Sequence, residues 1–325
     1  MAIICRSSKL ICSAARSSLP SPTDLRLSPA SRLAPMSERH DSWRATAAMY
    51  CCEGARITEL HGANLLTLLR ADIAKASTVL DVGCGTGAFA KAYMHQFPRG
   101  VAGQKLILSD LSAGMLEKAK ESVRPPDGFQ TEIVFQEEDC TALQGIESDS
   151  VDVVVSLFGV FLVPDQEAAF KAIQRVLKKP GGVFANASWV FGMSSTFVNA
   201  GLGVSIQDAF QVPVEAIEPG FSSVAHATMM KWADKAVIEK MLAEHKFDST
   251  QVYRAVHSSA WEFAVLWDMM VKNPMSNISS ASEENVQRGK DALIKFLSQD
   301  GSLNIEKPLL LFSVSNLSVA RSCLS

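Results

Sequence analysis

The chain lacks the sequence features that mark disulfide-rich, zinc-binding and membrane-spanning proteins. It has no two cysteines at C-x-x-C spacing and an odd total of seven, so neither a disulfide framework nor a structural zinc site is expected, and a reducing compartment fits better. Its longest apolar stretch, Val151 to Val163, has 13 residues and contains Asp152 and Ser156, which is too short to span a bilayer. We therefore predict no metal site and no membrane span.

Basic residues are scarce in the main part of the chain. Of its 325 residues, 31 are Lys or Arg and 34 are Asp or Glu. Five of the basic residues but only one acid, Asp24, fall within the first 36 residues, so the chain from Ser37 onward carries a net charge of −7. Nucleic acid is therefore not an expected partner. A hydrophobic content of 47% allows a large core and excludes a collagen-like or fully disordered chain.

The first 36 residues differ in composition from the rest, being rich in Ser, Arg and Pro with a single acid. This composition is typical of a mitochondrial or other organelle transit peptide. It also fits an ordinary disordered tail on a cytoplasmic protein, or a chain whose true start is Met36. We expect residues 1–36 to be a disordered or targeting segment and residues 37–325 to form one folded domain.

Helical and strand patterns alternate along this domain. Apolar residues at helical spacing predict N-terminal helices between Trp43 and Arg70. Five apolar runs separated by helical patterns then predict the strands of a parallel sheet. These are Ser77–Val82, Lys105–Asp110, Thr131–Glu137, Val151–Leu157 and Val183–Trp189. Ser112 is placed to cap the helix that follows the second strand.

The alternation breaks after Trp189. Residues 190–230 predict an inserted cap, and a second insertion with two helices is expected near residues 258–300. Late strands at Ser249–Val256 and Pro308–Val314 would form an antiparallel pair at the edge of the parallel sheet. The expected fold class is thus α/β, with a doubly wound seven-stranded sheet, N-terminal helices and an inserted cap.

A glycine-rich turn follows the first predicted strand, where Val79 to Gly87 reads VLDVGCGTG. Glycines let the backbone adopt positive φ and approach a ligand closely, and the helix N-terminus beyond them offers N–H groups. The segment Gly85 to Ala90 also satisfies the G-x-G-x-x-A pattern of a dinucleotide site. The loop alone therefore does not distinguish NAD from another adenosyl ligand.

Three acids, Asp81, Asp110 and Asp139, fall at the carboxyl ends of consecutive predicted strands, which border the ligand crevice in an open α/β sheet. Asp110 suits the ribose hydroxyls of NAD and of S-adenosylmethionine equally. Asp81, beneath the glycine loop, would repel a pyrophosphate but suits the ammonium group of a methionine moiety. Asp139 could accept a hydrogen bond from an adenine amino group. Together the acids favour S-adenosylmethionine over NAD.

These residues resemble the class I S-adenosylmethionine-dependent methyltransferases, in particular the small-molecule branch of the ubiquinone and menaquinone type. The resemblance covers about Trp43 to Trp189 and rests on five motifs in order. They are VLDVGCGTGAFA (Val79–Ala90), LILSDLSAGMLEKAK (Leu106–Lys120), EEDCTAL (Glu137–Leu143), DSVDVVVSLFGVFLVPD (Asp149–Asp165) and RVLKKPGGVF (Arg175–Phe184). The resemblance implies a Rossmann-like methyltransferase fold for the folded domain, with S-adenosyl-L-methionine as its cofactor.

The resemblance also implies cofactor-binding roles for individual residues. The methionine end of the cofactor would be held by Asp81, Gly83, Cys84, Gly85 and Gly87, and its ribose by Asp110. The faces of the adenine would contact Leu111 and Met115, and its edge would contact Asp139 and Cys140. The floor of the site would consist of Ser156 and Phe158, and Tyr50, a looser match, would reach the cofactor from an N-terminal helix.

The implied activity is transfer of a methyl group to a small, apolar or aromatic molecule at O, C or N. Such an in-line displacement needs alignment and exclusion of water more than acid–base chemistry, so no catalytic residue is assigned. His61, His226, His245 and His257 are interpreted as core or surface residues. Two alternatives stay open, an NAD-dependent oxidoreductase and a non-catalytic S-adenosylmethionine-binding protein. The sequence makes no prediction about oligomeric state.

Overall fold

A computed structural model of the chain describes residue 47 and residues 55–193, 203–217, 230–273, 276, 278–298 and 304–323. The predicted targeting segment 1–36, Tyr50, His226 and residues 194–202 and 218–229 of the predicted cap lie outside the described residues. The domain boundary at residue 36 and the targeting role therefore stay predictions. Within the described ranges, no helix is long and apolar enough to cross a membrane.

The first half of the fold alternates helix and strand as predicted, except that β4 follows β3 with no helix between them. Its elements are α1 (Ala55–Ile73), β1 (Thr78–Val82), α2 (Ala88–Gln96), β2 (Lys105–Asp110), α3 (Ala113–Ser122), β3 (Glu132–Glu137), β4 (Val153–Leu157), α4 (Gln166–Val176) and β5 (Val183–Trp189), with one 3₁₀ turn, Val160–Leu162, between β4 and α4. The predicted cap of α3 is confirmed, because the Ser112 hydroxyl accepts a hydrogen bond from the Met115 N–H at 3.3 Å.

The second half adds strands to one edge of the sheet and helices over it. Its elements are β6 (Val204–Ser205), α5 (Ile206–Ile217), α6 (Lys235–Glu244), β7 (Phe247–Trp261), α7 (Phe263–Lys272), a 3₁₀ turn at Ile278–Ser280, α8 (Glu283–Ser298) and β8 (Leu309–Ser322). The helices α7 and α8 fall within the second insertion expected near residues 258–300.

The described strands form one sheet in the order β3, β2, β1, β4, β5, β8. The first five are parallel, β8 runs antiparallel to β5, and β7 pairs antiparallel with the other side of β8. The predicted α/β sheet is confirmed, but the predicted count of seven strands is wrong, since the sheet already has eight strands within the described residues. The extra strand, β6, has two residues that pair with Leu311 and Phe312 of β8, too few to produce a periodic signal.

The late strands are longer than their apolar patterns predict. The sequence suggested an end at Val314, yet β8 continues to Ser322 through polar residues. Ser313, Ser315, Asn316 and Ser318 are all buried, because β8 lies between β5 and β7 and is covered on both faces. Side-chain hydrogen bonds satisfy these polar groups inside the core, so their burial costs little.

Helix α1 packs against one face of the sheet. Its apolar stripe, Leu65, Leu66, Leu69 and Ile73, is fully buried in the main core. Each such leucine or isoleucine contributes on the order of 1.5–3 kcal/mol relative to an exposed side chain. The apolar stripe therefore fixes α1, and the first turns of the helix reach the edge of the sheet where the glycine loop lies.

Candidate functional site

A cavity of about 240 Å³ opens at the carboxyl ends of the parallel strands. Nine of the residues predicted to bind a cofactor line it: Gly83, Cys84, Gly85, Asp110, Leu111, Met115, Asp139, Cys140 and Phe158. They come from the ends of β1, β2, β3 and β4 and from the first turns of the helices that follow. The parallel topology thus brings together residues separated by up to 75 positions in the chain.

Three other predicted residues, Asp81, Gly87 and Ser156, do not form the cavity surface. Asp81 and Ser156 are fully buried within β1 and β4. Gly87 has φ +86 and packs against α3, where an added Cβ would lie 2.4 Å from Val123 Cγ2. Their predicted contacts with a cofactor stay predictions, as does that of Tyr50, which lies outside the described residues.

The glycine loop is tied into the sheet by its own N–H groups. The N–H groups of Gly83 and Cys84 donate to the Ser109 carbonyl at 2.8 and 2.9 Å, and the Gly87 N–H donates to the Cys84 carbonyl at 2.9 Å. The Gly85 N–H donates to Asp110 Oδ2 at 2.9 Å. A pyrophosphate is held by loop N–H groups that are free to donate to it. Four of these donors are already used, which argues against a dinucleotide.

Asp110 links this loop to the next helix. Its Oδ2 accepts from Gly85, and its Oδ1 accepts from the Ser112 N–H at 2.9 Å. Carboxylate oxygens accept hydrogen bonds and so suit the hydroxyl groups of a ligand. The two backbone contacts fix the orientation of the carboxylate at the cavity wall, as recognition of a ribose requires.

Asp81 is a buried carboxyl group that has no hydrogen-bond partner within the described residues. It is 0% exposed, and neither of its oxygens has a hydrogen-bond partner within the described part of the chain. Burial raises the pKa of this carboxyl well above its usual range, and the nearby Asp110 carboxylate raises it further. An unpaired buried acid is costly, and a cationic ligand group would offset that cost. The site therefore suits a ligand with a positive charge beside the glycine loop.

The third acid, Asp139, is held by the turn that follows β3. Its Oδ1 accepts from the N–H and the hydroxyl of Thr141, at 2.8 and 2.7 Å. The neighbouring thiol of Cys140 has its pKa raised to about 12, mainly by burial and secondly by the Asp139 carboxylate. Burial also raises the pKa of the Cys84 thiol, so both cysteines line the cavity as neutral groups and not as nucleophiles.

The end of β4 forms the wall opposite these acids. The Ser156 hydroxyl accepts from the Val160 N–H at 2.8 Å and so fixes the turn over the cavity. Phe158 has φ +61, an uncommon conformation for a non-glycine residue, and its ring stacks on Trp189 with centroids 3.6 Å apart. The turn passes so close to the glycine loop that a Cβ on Gly159 would lie 2.8 Å from the Val82 carbonyl oxygen.

Several cavity residues were missed by the sequence interpretation. They include Thr58 on α1, Glu138 and Thr141 in the loops, Leu162 at the end of the 3₁₀ turn, and Val163 and Pro164 directly after it. The last three belong to the motif DSVDVVVSLFGVFLVPD, which carried a signal for them. Thr58 gave none, because nothing local distinguishes the inner face at the start of α1 from the rest of that face.

Three of the histidines, His61, His245 and His257, lie in positions that suit a structural role. His61 is 0% exposed, and burial lowers its pKa to about 3, with a smaller contribution from His257. His245 ends α6 and contacts Glu167 at 2.8 Å. His257 lies on β7, where partial burial lowers its pKa. The interpretation of these three as core or surface residues agrees with their positions, and His226 lies outside the described residues.

Comparison with known proteins agrees with this geometry. The family model described as "Methyltransferase domain" matches residues 79–182. The methyltransferase tpcH of Aspergillus fumigatus is 30% identical over 141 residues, which are 42% of this chain and 48% of that protein. A ubiquinone/menaquinone biosynthesis C-methyltransferase of Hahella chejuensis is 31% identical over 116 residues, 36% of this chain and 44% of the relative. The chain thus spans slightly less than half the length of these curated relatives.

The fold comparison extends over more of the chain. The crystal structure of the YcgJ protein from Bacillus subtilis superposes with a TM-score of 0.51 and covers 82% of this chain and 99% of the other, at 15% sequence identity. At that identity the likeness concerns the fold. Together with the family match, it confirms the predicted resemblance: residues 79–182 match a methyltransferase domain, and this part of the chain is similar to the methyltransferases of the ubiquinone and menaquinone type.

Proposed function

We propose that this protein transfers a methyl group from S-adenosylmethionine to a small, apolar or aromatic molecule, at an O, C or N atom. The observation that carries the proposal is the cavity itself, where the glycine loop and the acids that follow β2 and β3 line one space, with an unpaired buried acid beneath them. A neutral adenosyl group next to a cationic methionine moiety matches this arrangement of donors and charges.

Each part of the cofactor has a counterpart in the site. In the proposal, Asp110 accepts from the ribose hydroxyls, and Leu111 and Met115 contact the adenine faces. Met115 is only 4% exposed, so it offers an apolar surface that is already held in place. Asp139 and the backbone at Cys140 would contact the adenine edge. Asp81 would compensate the charge of the methionine end, which is the part of the cofactor that a dinucleotide lacks.

Methyl transfer from such a cofactor requires little acid–base chemistry from the side chains. The cofactor supplies an activated methyl group, and the protein aligns the acceptor with it and excludes water. Leu157, Phe158, Leu162 and Val163 give the cavity an apolar wall, and Trp189 stacks on the Phe158 ring. Their apolar character supports an apolar or aromatic acceptor, since small-molecule sites are mostly apolar with few polar anchors.

Two other functions receive less support from the site. An NAD-dependent oxidoreductase would need loop N–H groups free to bind a pyrophosphate, and four of them are engaged within the protein. A non-catalytic S-adenosylmethionine-binding protein would share the cavity with an enzyme, so turnover is what distinguishes the two. The net charge of −7 from Ser37 onward disfavours a nucleic-acid acceptor.

Thermal unfolding of the full chain with S-adenosylmethionine, S-adenosylhomocysteine or NAD tests the cofactor. A ligand at 100 times its Kd stabilises a protein by about 2.7 kcal/mol, and each kcal/mol raises Tm by roughly 2–4 °C at this size. Both adenosyl compounds should raise Tm and NAD should not. The variant Asp110→Asn should lose most of the shift, whereas the matched control Asp127→Asn, at an exposed loop position, should keep it.

A stabilisation by NAD alone would contradict the proposal. If the adenosyl compounds bind, incubation with methyl-labelled cofactor and a panel of phenols, quinols and amines tests turnover. Label in an organic-extractable product is the expected result. Binding without transfer to any acceptor would instead favour the non-catalytic alternative.

A further inference from the structure

One buried histidine lies between the candidate cofactor cavity and strand β8. His61, on the inner face of α1, is 0% exposed and meets three rings edge to face. Its ring centroid lies 5.7 Å from Phe158, 5.2 Å from Trp189 and 4.6 Å from His257, at interplanar angles of 85–88°. Phe158 also lines the cavity, so His61 stands directly behind the cavity wall.

The hydrogen bonds of His61 assign its proton. The Ser313 hydroxyl donates to the His257 carbonyl at 3.4 Å, so its oxygen is left to accept from the Nε2–H of His61 at 2.9 Å. The other ring nitrogen, Nδ1, then accepts from the Ser315 hydroxyl at 2.7 Å. Both ring nitrogens are thus engaged with β8, and His61 has no lone pair left for a substrate proton.

A neutral, fully bonded imidazole cannot act as a general base, but it can hold its neighbours in place. Phe158 needs such support, because φ +61 is unfavourable for a residue with a Cβ and is retained only where the surroundings impose it. Trp189 holds one face of the Phe158 ring, and His61 lies edge-on to both rings. The two serines, which are 0% and 1% exposed, prevent the imidazole from turning away.

We propose that His61 is a positioning residue that holds the Phe158 ring at the wall of the cofactor cavity, through its hydrogen bonds to Ser313 and Ser315 of β8. The inference rests on the proposed function, since it takes the cavity to be the adenosyl-cofactor site. Under this proposal β8 influences cofactor binding, although none of its residues lines the cavity.

A double-mutant cycle on the full chain tests this role, with calorimetric measurement of the Kd for S-adenosylhomocysteine. His61→Gln removes the rigid ring and keeps a polar side chain. It should raise Kd by about fivefold, the effect of one well-placed interaction of about 1 kcal/mol. If His61 acts through Phe158, the same change should raise Kd less than about twofold in a Phe158→Leu background, because coupled residues are not additive.

Two serine variants separate positioning from general loss of stability. Ser315→Ala removes the donor to Nδ1 and should raise Kd in the same direction as His61→Gln. Ser318→Ala is the matched control, since this serine is equally buried on β8 but donates to the Asn186 carbonyl instead. It should lower Tm and leave Kd unchanged. The Ser315 variant also decides the question if His61→Gln does not fold.

Three outcomes would overturn the proposal: an unchanged Kd in folded Ser315→Ala, an equal rise in Kd for Ser318→Ala, or the same effect of His61→Gln in both Phe158 backgrounds. Wild-type protein that fails to bind S-adenosylhomocysteine at all would contradict the proposed function itself. That result is distinguishable, because the positioning role predicts differences among variants of a protein that binds.

Discussion

The buried imidazole of His61 should make the protein lose stability in mild acid. Its folded-state pKa is lowered to about 3, against 6.5 in an unfolded chain, chiefly by burial. Below pH 6.5 the imidazole is therefore protonated in the unfolded state but not in the folded state. The free energy of unfolding consequently falls as pH falls from 6.5 towards 3. The stabilising contribution of the neutral imidazole is fully present only above pH 6.5.

The size of this effect follows from the two pKa values. At pH 5 the loss depends only on the unfolded pKa, because the folded group is still unprotonated there, and it amounts to about 2 kcal/mol. The total at pH 3 would be about 4 kcal/mol, because the folded-state imidazole is itself half protonated there. Asp81 works in the opposite direction, since its raised pKa makes the folded state take up a proton as pH falls. The wild-type curve alone therefore does not isolate His61.

Urea unfolding of wild type and His61→Gln at pH 7.5 and pH 5 removes this ambiguity. The variant has the same Asp81 but no imidazole, so wild type should lose about 2 kcal/mol more than the variant between the two pH values. His95→Gln, at an exposed position on α2, is the matched control and should keep the wild-type difference. Equal losses in wild type and His61→Gln would refute a buried neutral histidine.

Three further predictions concern the cavity. Asp81→Asn should weaken binding of S-adenosylmethionine and S-adenosylhomocysteine by about tenfold, measured by calorimetry, because the amide cannot carry the negative charge that pairs with the ligand's ammonium group; unchanged affinity would exclude Asp81 from cofactor binding. Gly87→Ala should destabilise by about 1–3 kcal/mol in urea, because φ is +86 there and the new Cβ meets Val123, and a smaller loss would contradict the close packing. Cys140, with its pKa raised to about 12, should react with iodoacetamide at pH 7.5 far more slowly than a free thiol, and fast labelling by peptide mass spectrometry would contradict this.

The sequence alone carried most of the information about the candidate site. Glycines at alternate positions after a short apolar strand, and acids at the ends of the next two strands, are local patterns that depend on the backbone conformation of a few residues. Nine of the predicted residues line the cavity for this reason. The alternation of helix and strand likewise follows from local periodicity, and with it the parallel part of the sheet.

Contacts between distant parts of the chain were decided only by the tertiary structure. The link from His61 to Ser313 spans 252 positions, and no pattern near either residue indicates it. The buried serines of β8 looked like the end of a strand, because an apolar pattern does not reveal that a polar side chain has a partner inside the core. Such contacts depend on the order of strands and on which helix covers them, and a one-dimensional pattern records neither.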